Sequence, residues 1–192
     1  WGFVSDPVDY LLPGTEYPVR ERMLDQTVSG LLHAFVQYRE GRTRCVLGER
    51  PEEDVSEVNA VVFATGDLPG ARAFVENVLG GHVYFADRFG GPAVEELLGL
   101  EPGEGFEAVI ARGPASRNAR LEFLRHLPPA SPRPPHAYPR VVAGCAMDDL
   151  DALAARLATG EHGASTGVVD TVAGPHLGLR SRYGACFYFW QR

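Results

Sequence analysis

Val58-Asn59-Ala60-Val61-Val62-Phe63-Ala64-Thr65-Gly66-Asp67-Leu68-Pro69-Gly70-Ala71-Arg72-Ala73-Phe74-Val75-Glu76-Asn77-Val78-Leu79-Gly80-Gly81 is the stretch on which the fold turns. Val58 to Thr65 is rich in β-branched residues and predicts a strand. Asp67 is placed to cap a helix, because its carboxylate can accept from the unpaired N–H groups of a first turn. Leu68 to Leu79 carries that helix and Gly80-Gly81 ends it. Three β-prone runs follow, His82 to Phe89, Phe106 to Arg112 and Ala119 to His126, with a short helical turn at Val94 to Leu98. The order is βαβββ.

The same order returns in the last third of the chain. Arg140 to Met147 reads as a strand, Asp148-Asp149 as the cap and Leu150 to Ala158 as a helix, with strands near Gly167 to Val172, His176 to Arg182 and Ala185 to Gln191. Gly-Asp-Leu-Pro-Gly-Ala-Arg-Ala at 66–73 echoes Asp-Asp-Leu-Asp-Ala-Leu-Ala-Ala at 148–155, an Asp-Leu pair opening each helix at the same offset from its strand. A repeat of this kind outweighs any single motif. Between the repeats, Pro128-Pro129-Ala130-Ser131-Pro132-Arg133-Pro134-Pro135 excludes helix and ladder pairing and forms an extended connector.

The segment before the repeats is less regular. Pro7, Pro13 and Pro18 predict a turn-rich start, and Arg20 to Gln26 a polar helix. Leu31 to Arg39 and Thr43 to Leu47, separated by Glu40-Gly41-Arg42, predict a β-hairpin. Gly48 to Asp54 is a charged linker. The chain therefore divides into an extension at 1–55, a first module at 56–127, a connector at 128–138 and a second module at 139–192. The fold class is α+β, with paired βαβββ modules and an N-terminal hairpin.

Composition narrows the function classes. The 192 residues, 45% hydrophobic, can fill a core. A net charge of -7 and the lack of a basic face argue against nucleic-acid or anionic-membrane partners. All 18 basic residues are Arg; without Lys there is neither Schiff-base chemistry nor a Walker-type phosphate loop. The complete Arg-for-Lys replacement, with abundant Ala, Gly and Pro, suggests a high-GC bacterial genome. Cys45, Cys145 and Cys186 match no zinc spacing, and the opening residues lack a signal-peptide pattern, so the expected location is the cytoplasm.

The two Asp-Leu-capped modules, the Phe74-Val75 and Leu79-Gly80-Gly81 elements, and the ending Tyr183-Gly184-Ala185-Cys186-Phe187-Tyr188-Phe189-Trp190 resemble the vicinal oxygen chelate superfamily of glyoxalases, bleomycin-resistance proteins and extradiol dioxygenases. The resemblance covers residues 57–192. It implies an open, barrel-like sheet with a central cleft and a divalent metal held by His or Glu from the first and last strand of each module. The matching first-strand positions are Ala60 and Val142, which cannot coordinate, and the last-strand positions are Glu122 and Tyr188. One carboxylate is too few for a stable site, so no family-type metal and no other cofactor is expected. His33, His82, His126, His136, His162 and His176 lie off the matching positions and read as surface or packed residues.

Strand parity then sorts the side chains. Val61, Phe63, Leu121, Phe123, Ala143, Cys145, Phe187 and Phe189 are expected to face the helices. Ala60, Val62, Ala64, Arg120, Glu122, Leu124, Val142, Gly144, Ala146, Cys186, Tyr188 and Trp190 are expected to face the cleft. Small Ala60, Ala64, Gly144 and Ala146 would leave room for a large flat ligand, Trp190 and Tyr188 would stack on it, and Arg120 and Glu122 would supply a donor fork and an acceptor. The opposing reading closes the sheet over the small residues, with Arg120 paired to Glu122. His176 and Arg180, one strand over, are further ligand-binding candidates. Two functions follow: binding or sequestration of a bulky aromatic natural product, as in the bleomycin-resistance branch, or metal-independent isomerase, cyclase or lyase chemistry on a carbonyl compound. In the second, Glu122 would transfer the proton, with Tyr188 or Arg120 at the oxyanion. An interaction module with a filled cleft is a third reading. The expected partner is a small molecule, and the modules can pair within one chain or across a homodimer.

Overall fold

The structure is a computed structural model and describes residues 2–26, 31–38, 58, 60–116, 119–128 and 141–192. The first module runs β5 (Ala60–Ala64), α1 (Leu68–Asn77), β6 (His82–Gly90), α2 (Pro92–Leu98), β7 (Gly105–Arg112) and β8 (Arg120–Leu127). The second runs β9 (Val142–Met147), α3 (Leu150–Leu157), β10 (Gly163–Thr171), β11 (Gly174–Ser181) and β12 (Cys186–Gln191). The sheets have the orders β5-β8-β7-β6 and β9-β12-β11-β10, with first and last strands parallel and the other pairs antiparallel. The repeat read from the sequence is a repeat of topology, and the sheets are not closed into a barrel.

Each helix starts where its Asp allows. Asp67 Oδ1 accepts from the Gly70 N–H at 3.0 Å, and Asp149 Oδ1 from the Ala152 N–H at 2.8 Å. From there Leu68, Ala71, Phe74 and Val75 of α1, and Leu150, Leu153 and Leu157 of α3, bury one stripe each against the sheets. Phe63, Phe123, Ala143, Phe187 and Phe189 meet them in one core that both modules share. Phe74, fully buried, sits at its centre with ring centroids 5.4 Å from Phe187 and 5.6 Å from Tyr183. The predicted helix-facing set is thus the core set, with Val61, Leu121 and Cys145 at its margin.

The segment ahead of β5 departs from expectation. Four strands, β1 (Gly2–Phe3), β2 (Val8–Leu11), β3 (Pro18–Gln26) and β4 (Leu31–Tyr38), form a third sheet with β3 between β4 and the β1/β2 edge. Arg20 to Gln26 is therefore strand and not helix. Val19 is fully buried and Glu21 5% exposed, while Arg20 turns outward to pair with Asp9 at 2.6 Å, which is a period of two. The burial of a carboxylate hid that alternation. The hairpin partner of β4 is β3; the predicted Thr43 to Leu47 arm, the charged linker and most of the proline connector lie outside the described residues. Val8, Leu12 and Val19 are buried on this side of the molecule with Val94 and Leu97 of α2, which packs on both β2 and β3.

Gly184 ties the two modules at a turn. Its φ is +85°, and a Cβ there would lie 2.3 Å from the Ala64 carbonyl oxygen at the end of β5. Gly80, at φ +65°, meets nothing within 4 Å. Gly184→Ala is expected to lower stability by about 2–3 kcal/mol, and Gly80→Ala by about 1 kcal/mol, read as shifts of the urea midpoint; equal shifts would remove the close approach at Ala64 as a cause.

Candidate functional site

Sheet parity puts the predicted cleft residues on the faces opposite the shared core, and the two modules treat those faces differently. On the first module the inner face of β6, β7 and β8 is covered. Ala108 and Ile110, which point away from the core, are 1% and 4% exposed, and the N-terminal sheet meets the same side of the neighbouring strand β6. A Cβ on Gly14 would stand 3.1 Å from the Phe85 ring, and the Tyr10 ring lies 6.1 Å from that of Phe89. The outer strand β5 keeps its inner side open, with Val62 51% exposed and Ala64 exposed; Ala60 is half-buried.

Arg120 and Glu122 lie under this cover. Arg120 Nε donates to Glu122 Oε1 at 2.7 Å, with side chains 7% and 17% exposed. A bulge in β6 between Val83 and Phe85 brings Tyr84 to the same face, where its ring carries the Arg112 guanidinium at 4.5 Å and its hydroxyl interacts with Arg120. From the extension, the Tyr10 hydroxyl donates to Glu21, and Tyr38 acts on Arg120. Sequence reasoning missed Tyr10, Glu21, Tyr38 and Tyr84. The first three share one face of the N-terminal sheet by register, a pattern legible only once Pro18 to Gln26 is read as strand.

Burial sets the electrostatics of this cluster. It pushes the Glu21 carboxyl up, against the Tyr10 hydrogen bond; the Glu122 charge pushes the same way and Arg120 opposes it. Burial also raises Tyr10 and Tyr84. Arg120 loses solvation, yet Glu122, Tyr84 and Tyr38 more than offset this and hold the guanidinium above its usual value. Glu122 is thus ion-paired in a largely buried cluster, the arrangement that opposed a reactive carboxylate in the sequence.

The second module leaves its inner face open. Val142 is 50% exposed, Tyr188 42% and Trp190 37%, with Gly144 and Arg180 exposed beside them and Ala146 half-buried. The His176 ring stacks on Tyr188 at 4.8 Å and is itself 8% exposed. Its Nδ1 lies 2.7 Å from the Gly174 carbonyl oxygen and 3.0 Å from Thr171 Oγ1. A carbonyl only accepts, so Nδ1 carries a proton and donates to it. His176 acts as a prop beneath Tyr188. Gly144 is not empty volume: a Cβ there would sit 3.0 Å from the Trp190 indole, which already lies over it. The small residue makes room for the tryptophan, which then forms the surface.

A metal of the kind the fold houses does not suit these residues. Ala60 and Val142 offer no donor, Glu122 is engaged by Arg120, and the described residues include no group of three or more His, Cys, Asp or Glu able to hold an ion. A groove of ≈ 600 Å3 occurs on the helix side of the first module, between the start of α1 and the ends of β6 to β8. Arg125 pairs there with Glu107, Arg72 with Glu76, and Arg88 donates to the Gly103 carbonyl oxygen, so it is a row of engaged surface charges. Cys145 points to the core, and burial pushes its thiol up to about 11, which suits packing and not nucleophilic attack. No described helix is long and apolar enough to cross a membrane.

No protein-family model matches the chain, and no curated protein matches it in sequence. Among solved structures it is similar to a glyoxalase family protein from Bacillus cereus, at 18% identity and a TM-score of 0.58, over 73% of this chain and 96% of that one. It is also similar to an antibiotic binding protein from Streptomyces sp. CB03234, at 19% identity and TM-score 0.46 over 72% and 98% of the two chains. A bleomycin-binding protein from Streptomyces verticillus, complexed with copper(II)-bleomycin, follows at 18% identity and TM-score 0.41, over 72% and 98%. The Bacillus cereus match, with the doubled βαβββ topology, shows the glyoxalase and vicinal oxygen chelate fold.

Two outcomes are expected from the buried charge cluster. Arg120→Met leaves Glu122 and Glu21 buried without their cation and should cost about 3–5 kcal/mol in urea unfolding. Glu21 binds its proton more tightly folded than unfolded, so its contribution is full below the unfolded value near 4.5 and is lost as pH rises through the higher folded value. Glu21→Gln should therefore raise the urea midpoint at pH 7–8 relative to the parent, with the advantage vanishing towards pH 4. A midpoint lowered at pH 8 would contradict it.

Proposed function

For a chain with the vicinal oxygen chelate fold and an uncovered aromatic face on its second module, we propose a binding protein that takes a bulky, planar aromatic small molecule without chemical turnover. The observation that carries this reading is the open shelf of Tyr188 and Trp190, propped by His176 and bordered by Val142, Ala146 and Arg180. Apolar side chains left in water at this density gain by being covered, and two aromatic rings 6.3 Å apart favour a flat partner. Arg180, exposed on the same face by register with Cys186, suits an anionic or hydrogen-bonding substituent on the ligand. Ala60, Ala64 and Val62 on β5 extend the apolar lining offered by the first module.

The catalytic alternative rests on Glu122, with Tyr188 at the oxyanion. Its weakness is geometric: Glu122 is ion-paired to Arg120 beneath the N-terminal sheet, whereas Tyr188 lies on the open face of the other module. The metal-independent character and a bacterial, cytoplasmic setting belong to the same proposal.

The test is a fluorescence and calorimetric titration with polycyclic aromatic natural products, anthraquinone and bleomycin-type compounds included. Trp190→Ala should weaken the best ligand at least tenfold, and Glu122→Gln should change its affinity less than threefold with no product formed by either protein. Turnover by the parent that Glu122→Gln abolishes would establish the enzyme reading instead. An affinity indifferent to Trp190 would remove the aromatic shelf from the site.

A further inference from the structure

The open face of the second module carries glycine on both sides of Tyr188. The parallel register sets Gly144 of β9 beside it, and the antiparallel register sets Gly178 of β11 on the other flank. Neither has a positive φ, so the backbone does not require glycine at either place. Glycine inside a strand weakens it and often marks the close approach of another group. Here both spaces are filled from the side. The Trp190 indole lies over Gly144, where a Cβ would come within 3.0 and 3.3 Å of Cζ3 and Cη2 at the far edge of its six-membered ring. A bulge in β10 between Ser165 and Val168 brings Thr166 over Gly178, its methyl 3.2 Å from where a Cβ would stand and its Oγ1 accepting from the Gly178 N–H at 3.0 Å. In the first module the matching third residue of the opening strand is Val62, 51% exposed, so the fold accommodates a branched side chain at this place.

We propose that Gly144 is a specificity-determining residue, which seats the Trp190 indole against the backbone of β9 and so selects fused, planar ring systems over ligands whose rings are twisted about a single bond. The inference rests on the reading of this face as the binding surface. With Gly144 beneath one side of the indole, the other side is the one left to water, and Trp190 is 37% exposed. A fused ring system overlaps the bicyclic indole over its whole area, whereas a twisted ligand lays down one ring at a time. The Tyr188 ring, at 38° to the indole, then meets the ligand from its flank. Thr166 and the indole fill the two spaces beside Tyr188 into which a protruding second ring would otherwise drop. A Cβ on Gly144 forces the far edge of the indole to give by a few tenths of an ångström, and the methyls of a valine force it further, so the overlap declines in that order.

The test uses the full chain with Trp1→Phe, which leaves Trp190 as the one tryptophan, and adds Gly144→Ala or Gly144→Val. Two probes of equal charge are titrated by calorimetry: anthraquinone-2-sulfonate, which is fused and flat, and benzophenone-4-sulfonate, whose two rings twist about the central carbonyl. The parent is expected to prefer the anthraquinone. Gly144→Ala should weaken that probe about threefold and Gly144→Val about tenfold, while the benzophenone changes less than about twofold in both. Acrylamide quenching of Trp190 without ligand should rise in the same order. Quenching unchanged in both variants shows that the glycine does not seat the indole and overturns the proposal. So does an equal loss for the two probes, or an unchanged preference in Gly144→Val. In each of these cases, binding by the parent that Trp190→Ala weakens leaves the binding reading standing. A parent that binds neither probe removes the binding reading, and the specificity with it.

Discussion

Both modules spend the same side of their sheets on one core. Phe63, Phe74, Phe123, Phe187 and Phe189 form a continuous apolar contact between the halves, fixing how the sheets are used. Each sheet has only two faces. Once one face of each is committed to that core, the inner faces must be covered by something else or left in water, and the chain does one of each. The N-terminal sheet, with α2 packed beneath β2 and β3, seals the first. The second stays open, lined by aromatic side chains.

This division explains why residues that share a strand pattern have different surroundings. Glu122 and Tyr188 occupy equivalent places on β8 and β12, each the third residue of the last strand of its module. Glu122 is enclosed with a guanidinium and near a second carboxylate, and its charge is compensated locally. Tyr188 is half in solvent, its ring supported from one side by His176. The fold fixes position; what covers the face decides the chemistry.

The repeat was legible because its signals are local. Asp67 and Asp149 cap helices through contacts within their own first turns, and strand parity named the core from alternation alone. The N-terminal sheet was harder because its logic is not local. Glu21 is tolerated inside only because Tyr10 donates to it from the neighbouring strand and Arg120 is brought up from β8, about a hundred positions along the chain. Without those partners a Val-Arg-Glu-Arg run reads as a solvated helix. Nothing in the spacing of Gly144 and Trp190 told that the indole itself would take up the space above the glycine.

The two halves of a duplicated chain ordinarily drift at similar rates, but here they answer to different filters. A change at Arg120, Tyr84 or Glu122 meets a packed, charge-balanced interface, so its cost depends on what stands across the sheet contact. A change at Val142, Arg180 or Trp190 meets solvent and leaves the core untouched. Close relatives of this protein should accordingly vary in correlated pairs on the first module and one residue at a time on the second. New ligand preferences could then accumulate stepwise on a scaffold whose other half holds the fold.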